Sequence, residues 1–524
     1  MRGRLLRPVH QQRTWLLAAL LVALLVGCTT RSSDSPAPGG PGWAGVSAPT
    51  GQLGGSAPVG GSGASTSGQL PGGPGDPAPL SIGSGPAAQA AAQAIEQLLG
   101  ARADALRRQD RPAWAATVDT RDADRGPDAA AELAAYDALL ALGVLDLQIG
   151  PVTGIAPSSA GPVPSETGSA TSGPPSVASW SGTVRVGYQL PGFDRGVRAA
   201  VRTVTIRQVA GVWRIARWVG PRDAWEAWDL PDMSWARTDS VLVVGNVSVT
   251  ELADRAAEAQ AAYARVSALV GRTPPVVLVV PRSDADAARL LGRQGPVGPS
   301  VAAATVGPRE AEAPARADRV IVAPQGWQRL LPAGRRVVLT HELVHAAVRG
   351  TTVRDVPMWL SEGFAEWVAY LDSGLPVAGV AAALLSDVRD VGPPLGLPED
   401  RAFDPAGPEA VRAYQAGWLA VSRIAREHGP DRLVRFYRAI AGTAALDTVA
   451  IGPTAIGSSG PSVSGSTPAP PAGSGDGASA DVTGAGSGGD LARRTESAFL
   501  THLGESQTQF VTNWRAELVA LARA

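Results

Sequence analysis

THELVHAAVRGTTVRDVPMWLSEGFAEW, Thr340 to Trp367, holds two of the chain's five histidines and three glutamates. On a helix His341 and His345 stand one turn apart and face the same way. Two imidazoles so placed can hold one divalent metal ion, while Glu342 projects beside that ion and not onto it. HELVH therefore reads as a two-ligand metal site with a general base built in. Val337, Val338, Leu339, Leu343 and Val344 bury the helix, and Gly350 suits its C-terminal cap. The bland alternative is a pair of hydrogen-bonded core histidines, and the pattern rarely arises by chance in a chain so poor in histidine.

A zinc site that works on a substrate takes three protein ligands and leaves one position for water. Pro357 suits the first turn of a second helix, and the loop before it is long enough to fold that helix back on the first. Glu362 then supplies the third ligand. Glu366 lies on the same helix face and is placed to accept the second ring N–H of His341, the usual support for a metal-bound imidazole. A glutamate at either position is otherwise a solvated surface residue.

The rest of the chain sets the compartment. Its 524 residues allow two or three domains, and a formal net charge of −1 gives no global pointer to nucleic acid. MRGRLLRPVHQQR is a basic leader, and the apolar run TWLLAALLVALLVG is too short to span a membrane comfortably as a mature helix. It ends in Leu25-Val26-Gly27-Cys28, and Cys28 is the only cysteine. The arrangement resembles a bacterial lipobox, which implies a signal peptide over 1–27, cleavage before Cys28 and acylation of its thiol. No disulfide within one chain is possible, so stability outside the cell rests on packing or metal.

Residues 28–85 are Gly, Ser, Pro and Ala with almost no large apolar side chain, which reads as a disordered tether. Two similar blocks, 156–178 and about 451–489, read as disordered loops inserted into domains. A first domain is expected over 86–220. Ile95, Leu98, Leu99 and Leu106 share one helix face, and Leu133, Tyr136, Leu139 and Leu140 another. WSGTVRVGY then alternates with Trp180, Gly182, Val184, Val186 and Tyr188 on one side, and RAAVRTVTIRQ and GVWRIARW continue as antiparallel strands. Helices followed by such strands give an α+β domain. Their order is similar to the cone-shaped fold of nuclear-transport-factor-like domains; such a domain can hold a small ligand but is more often a spacer or a docking module.

A second α+β domain is expected over 225–524. SVLVVG and PPVVLVVP read as buried strands around a helix at about 249–269, and DRVIVAP as another strand. Helices then follow at 335–349, 357–371, 376–389, 408–428, 430–441 and about 505–523.

HELVH followed by WLSEGFAEW resembles the gluzincin branch of the zinc metallopeptidases, most of all the short peptidase-MA-like domains of bacterial lipoproteins. The resemblance covers roughly 235–524 without the insert. It implies a zincin-type fold with a small sheet and a mainly helical C-terminal half. His341, His345 and Glu362 match the ligands of one Zn²⁺, Glu342 the base, and Glu366 the carboxylate behind the metal. AYQAGWLAVSRI resembles the Y-x-x-G helix of these enzymes, which implies that Tyr414 donates to the oxyanion; a core aromatic is the alternative. FLTHLGESQTQFVTNWRAEL is similar to their closing helix. The aminopeptidase motif G-x-M-E-N is absent, so exopeptidase activity does not follow. His428-Gly429 reads as a helix C-terminus, where a cation is favoured anyway.

The expectation is thus a zinc-dependent peptidase, lipid-anchored through Cys28 on the extracytoplasmic face and acting on peptides or proteins of the envelope. Two rivals share the residues: a non-catalytic zinc lipoprotein acting as a binding or scaffold module, and a zinc amidase acting on peptidoglycan. Intact Glu342 argues against the first, because a structural site needs no base and is closed by a fourth ligand.

Overall fold

The computed structural model describes residues 85–119, 127–158, 179–220, 224–442 with breaks at 272, 296, 308–316, 350, 353 and 405–406, and 486–524, together with the pair Leu17–Ala18. Cys28, the tether, Gly350 and most of the two Gly/Ser/Pro-rich blocks lie outside these residues. The described chain is a mixed α+β protein with two small sheets.

After the two-residue strand β1 (Leu17–Ala18), three helices open the ordered chain: α1 (Pro86–Arg107), α2 (Arg111–Ala115) and α3 (Pro127–Ala141). Four strands follow as an antiparallel meander: β2 (Gln148–Pro157), β3 (Ser179–Tyr188), β4 (Arg198–Val209) and β5 (Val212–Val219). The expected strands are present, and β2 adds one in front of them. Ala156 and Pro157, expected in an insert, close β2 instead. Ile95, Leu99 and Leu106 of α1 pack with Val184, Val204 and Ile206 of the sheet. Arg102 is buried among them. It donates to Glu132 at 2.6 Å and to Thr117 at 2.9 Å, and its guanidinium lies 4.6 Å from the Trp114 ring centre.

The second sheet has the order β1-β9-β10-β8-β7-β6, from β6 (Ser234–Arg237), β7 (Val241–Gly245), β8 (Val276–Val280), β9 (Ala303–Val306) and β10 (Arg319–Val322). β7, β8 and β10 run parallel, with β6 and β9 antiparallel on either side of them. Parallel neighbours need a crossover, and α4 (Val249–Val270) supplies it between β7 and β8. The three parallel strands are apolar at nearly every position because both faces are covered. Val241, Val243 and Leu278 face the helices, while Leu242, Val244 and Val277 on the other face join the core of the first unit.

α5 (Asp284–Leu291) and α6 (Pro324–Gln328) flank this sheet. The helical half then comprises α7 (Pro332–Arg349), α8 (Met358–Tyr370), α9 (Val377–Val380), α10 (Ala382–Asp390), α11 (Ala410–His428), α12 (Pro430–Ala441), α13 (Gly486–Ala498) and α14 (Gln507–Arg523). α7 is buried from Val337 to Val348 on every side, as a helix at the centre of a core must be. Three expectations change in detail. Pro357 sits at the N-cap of α8 and not inside it. The single helix expected over 376–389 is two, broken at Ala381. The insert expected to run to 489 gives way to α13 from Gly486.

Candidate metal centre

α7 and α8 cross so that one face of each meets the other. His341 Nε2 and His345 Nε2 lie 3.1 Å apart, and each lies 3.3 Å from Glu362 Oε2. All three residues are at most 1% exposed. The triangle brings together three atoms that can each bind a metal ion. A carboxylate has no hydrogen to give once ionised, and each neutral imidazole has one ring nitrogen without hydrogen. Donors 2.0–2.1 Å from one ion at tetrahedral angles stand about 3.3 Å apart, so this triangle has the dimensions of three corners of such a site. The residues present fit a zinc ion.

Buried polar atoms around the triangle are short of partners. His341 Nδ1, His345 Nδ1, Glu342 Oε1, Glu362 Oε1 and Glu366 Oε2 have no hydrogen bond. Glu366 Oε1 comes within 3.6 Å of His341 Nδ1, the approach expected of a carboxylate that orients the ring. The Glu342 carboxylate reaches β9, where Thr305 Oγ1 donates to Oε2 over 2.6 Å. Thr305 is the contact that sequence reading missed. It lies in a short strand far from α7 in the chain, and no local pattern links them.

The electrostatics are those of a cluster built to share a cation. Burial pulls the His341 imidazole down, but its bond to Glu362 and the charges of Glu366, Glu362 and Glu342 outweigh that and hold it up at about 9. Burial pushes Glu362 up, yet the two imidazoles more than offset it and leave the carboxyl at about 2. Burial, eased by His341 but reinforced by Glu362 and Glu342, lifts Glu366 to about 7. Glu342 is also raised, chiefly by burial. A proton on His341 supplies positive charge beside Glu362 and Glu366.

Tyr414 of α11 is brought to the same centre. Its phenol is pushed well above its ordinary value by burial and then by Glu362, Glu366 and Glu342, so it stays neutral and able to donate. Phe403 packs edge-on against its ring at 5.2 Å. Contact between α8 and α11 depends on two glycines. A Cβ on Gly363 would collide with the Gly417 carbonyl, and one on Gly417 would come within 2.8 Å of the Trp359 carbonyl. The backbones can approach this closely only because both side chains are absent. The start of α8 is fixed separately, by Asp400 accepting from the Met358 N–H over 2.9 Å.

A second group of metal-type ligands, Glu427, His428 and Glu505, lies near the surface with its ligand atoms within 4.8 Å of one another. Its carboxylates already have other partners, Arg423 at 2.8 Å for Glu427 and Asn513 at 3.0 Å for Glu505. His428 closes α11 and Gly429 caps it, as expected. His502 belongs to neither group. Among the described residues no helix is long and apolar enough to cross a membrane. Comparison with protein-family models, with curated proteins and with solved structures finds no match to this chain.

Proposed function

We propose that this chain is a zinc-dependent metallopeptidase, lipid-anchored through Cys28 on the extracytoplasmic face of the membrane, that hydrolyses peptide bonds in envelope peptides or proteins. The observation that carries the proposal is the buried triangle of His341 Nε2, His345 Nε2 and Glu362 Oε2, with spacings of 3.1 to 3.3 Å. Two imidazoles and a carboxylate form a three-ligand set, which suits a catalytic zinc in preference to a closed structural one. Zinc held there supplies a Lewis acid for the scissile carbonyl and brings the pKa of water down to about 7.

The chain's own residues do the rest. Glu342 offers Oε1, buried and without a hydrogen bond, to take a proton from the attacking water and later return it to the leaving amine. Tyr414, kept neutral, donates to the oxygen on which negative charge develops. Glu366 holds the ring of His341 in orientation. The water-excluded setting of all these groups strengthens each interaction.

A peptide substrate is favoured by the edge of the central sheet. β9 accepts an extended segment in antiparallel register, Leu17 opposite Thr305 and Ala18 opposite Ala304. Leu17 and Ala18 fall within the leader that processing before Cys28 would remove, which frees the edge for strand addition by a substrate. In this reading 86–220 is a nuclear-transport-factor-like unit and 225–524 a gluzincin-like unit with a zincin-type sheet. The test is Glu342→Gln in the full chain. Zinc content should stay at the parent's level while peptide hydrolysis is lost; a variant that hydrolyses peptides normally would refute the mechanism. Cys28→Ala should move the protein from the membrane fraction to the soluble one.

A further inference from the structure

Thr305 is completely buried in β9. Its Oγ1 lies 2.6 Å from Glu342 Oε2 and 3.1 Å from the Glu342 carbonyl oxygen. A hydroxyl has one hydrogen to give, and an ionised carboxylate is the stronger acceptor, so the short bond goes to Oε2. Among the described residues that bond is the only one Glu342's carboxylate makes, since Oε1 has none. A glutamate side chain has three torsions, and this hydrogen bond ties its carboxylate to the strand. Its donor, by contrast, is fixed: Thr305 pairs with Val320 in the sheet, and its carbonyl faces Arg349.

We infer that Thr305 is a positioning residue for the general base: its hydroxyl pins Oε2 of Glu342 so that Oε1 is presented to the reacting water. The inference rests on the reading of Glu342 as that base. It makes β9 serve two ends, because the strand that offers its edge to an extended peptide also sets the orientation of the base. A threonine that merely filled space would be replaced without loss by valine, which has the same shape and an equal preference for strands. Misplacing a reacting group by about an ångström costs on the order of a hundredfold in rate, so the hydroxyl should matter far more than its volume.

Two measurements on the zinc-loaded full chain test this. Fluorescently labelled casein hydrolysis is followed for the parent, Thr305→Val, Thr305→Ser and Glu342→Gln. Thermal unfolding is followed for the parent, Thr305→Val, Glu342→Ala and the last two combined. Thr305→Val should lower kcat by about tenfold to a hundredfold with KM and zinc content unchanged, and Thr305→Ser should restore most of it. Thr305→Val should also lower the melting temperature of the parent but have little further effect in the Glu342→Ala background, a non-additivity that reports the bond itself. A Thr305→Val enzyme with the parent's kcat beside an inactive Glu342→Gln, or strictly additive melting shifts, would overturn the positioning role and leave the peptidase reading standing. Absence of any Glu342-dependent hydrolysis would sink that reading, and the positioning role with it.

Discussion

At the scale of single residues, His341 and His345 mean little without Glu362. Two imidazoles one turn apart are compatible with a packed core, but a carboxylate oxygen 3.3 Å from both, fully buried, needs a cation between them or a proton. Replacing Glu362 or His345 by alanine should therefore abolish tight zinc binding while the fold persists, as read by metal content and circular dichroism. Tyr414→Phe tests the other side of the site. If its hydroxyl serves the oxyanion, kcat should fall by about tenfold to a thousandfold with zinc retained; an unchanged kcat would make Tyr414 a packing residue. The grouping of His341, His345, Glu362 and Glu366 was legible because it is local: HELVH and EGFAE each bring their ligand-type residues to one helix face by spacing. Thr305 was not legible, because its partner Glu342 is brought to it by the fold.

At the scale of elements, the site depends on how closely α8 and α11 approach. Gly363 and Gly417 let the two backbones touch, and that crossing carries Tyr414 to Glu362 and Glu366. Gly363→Ala should cost about 1–3 kcal/mol through overpacking and lower both melting temperature and hydrolysis; a variant as stable and active as the parent would show that the helices have room to part. Removing metal by chelation should leave the far-ultraviolet spectrum intact. Both ligand helices are buried by apolar contacts independent of the ion, so only the melting temperature should fall, by an amount set by zinc concentration relative to its Kd. Collapse on chelation would instead favour a structural zinc.

The long helices were readable from their apolar periodicity, whereas β6 and β9 were not. β9 is Ala303-Ala304-Thr305-Val306, with neither alternation nor bulk to mark it, and is a strand through its pairing with neighbours distant in the chain, β10 above all. The break between α9 and α10 has a similar cause. The Leu384 N–H is taken by Gln415 Oε1 of α11 at 2.7 Å, a competing partner that no local sequence pattern announces.

At the scale of the whole molecule, the two α+β units are joined by buried charge. Arg319, at the start of β10, makes a two-pronged pair with Asp194 at 2.6 and 2.8 Å. Arg198 donates to Glu226 at 2.8 Å and to the Ala317 carbonyl at 2.9 Å, and Arg202 pairs with Asp229 at 2.7 Å. The period-two pattern of β4 was visible in the sequence, yet its buried face includes both of these arginines. Charged residues at alternate positions ordinarily mark the solvated side, and their acidic partners come from another segment. Asp194→Ala leaves the Arg319 guanidinium buried without its paired carboxylate, which should cost about 3–5 kcal/mol. The measurement is chemical denaturation beside the double variant Asp194→Leu/Arg319→Met, expected to be milder; equal losses would mean that packing, not charge, holds the junction. Such a junction also gives the first unit a part in holding β10, the strand beside β9.

The most direct test of the central claim is the zinc content of the full chain, measured by elemental mass spectrometry beside Glu362→Ala. The parent should carry about one zinc per chain, the stoichiometry of a single three-ligand site, and the variant should lose most of it. A well-folded parent that carries no zinc and takes none up when offered would contradict that claim.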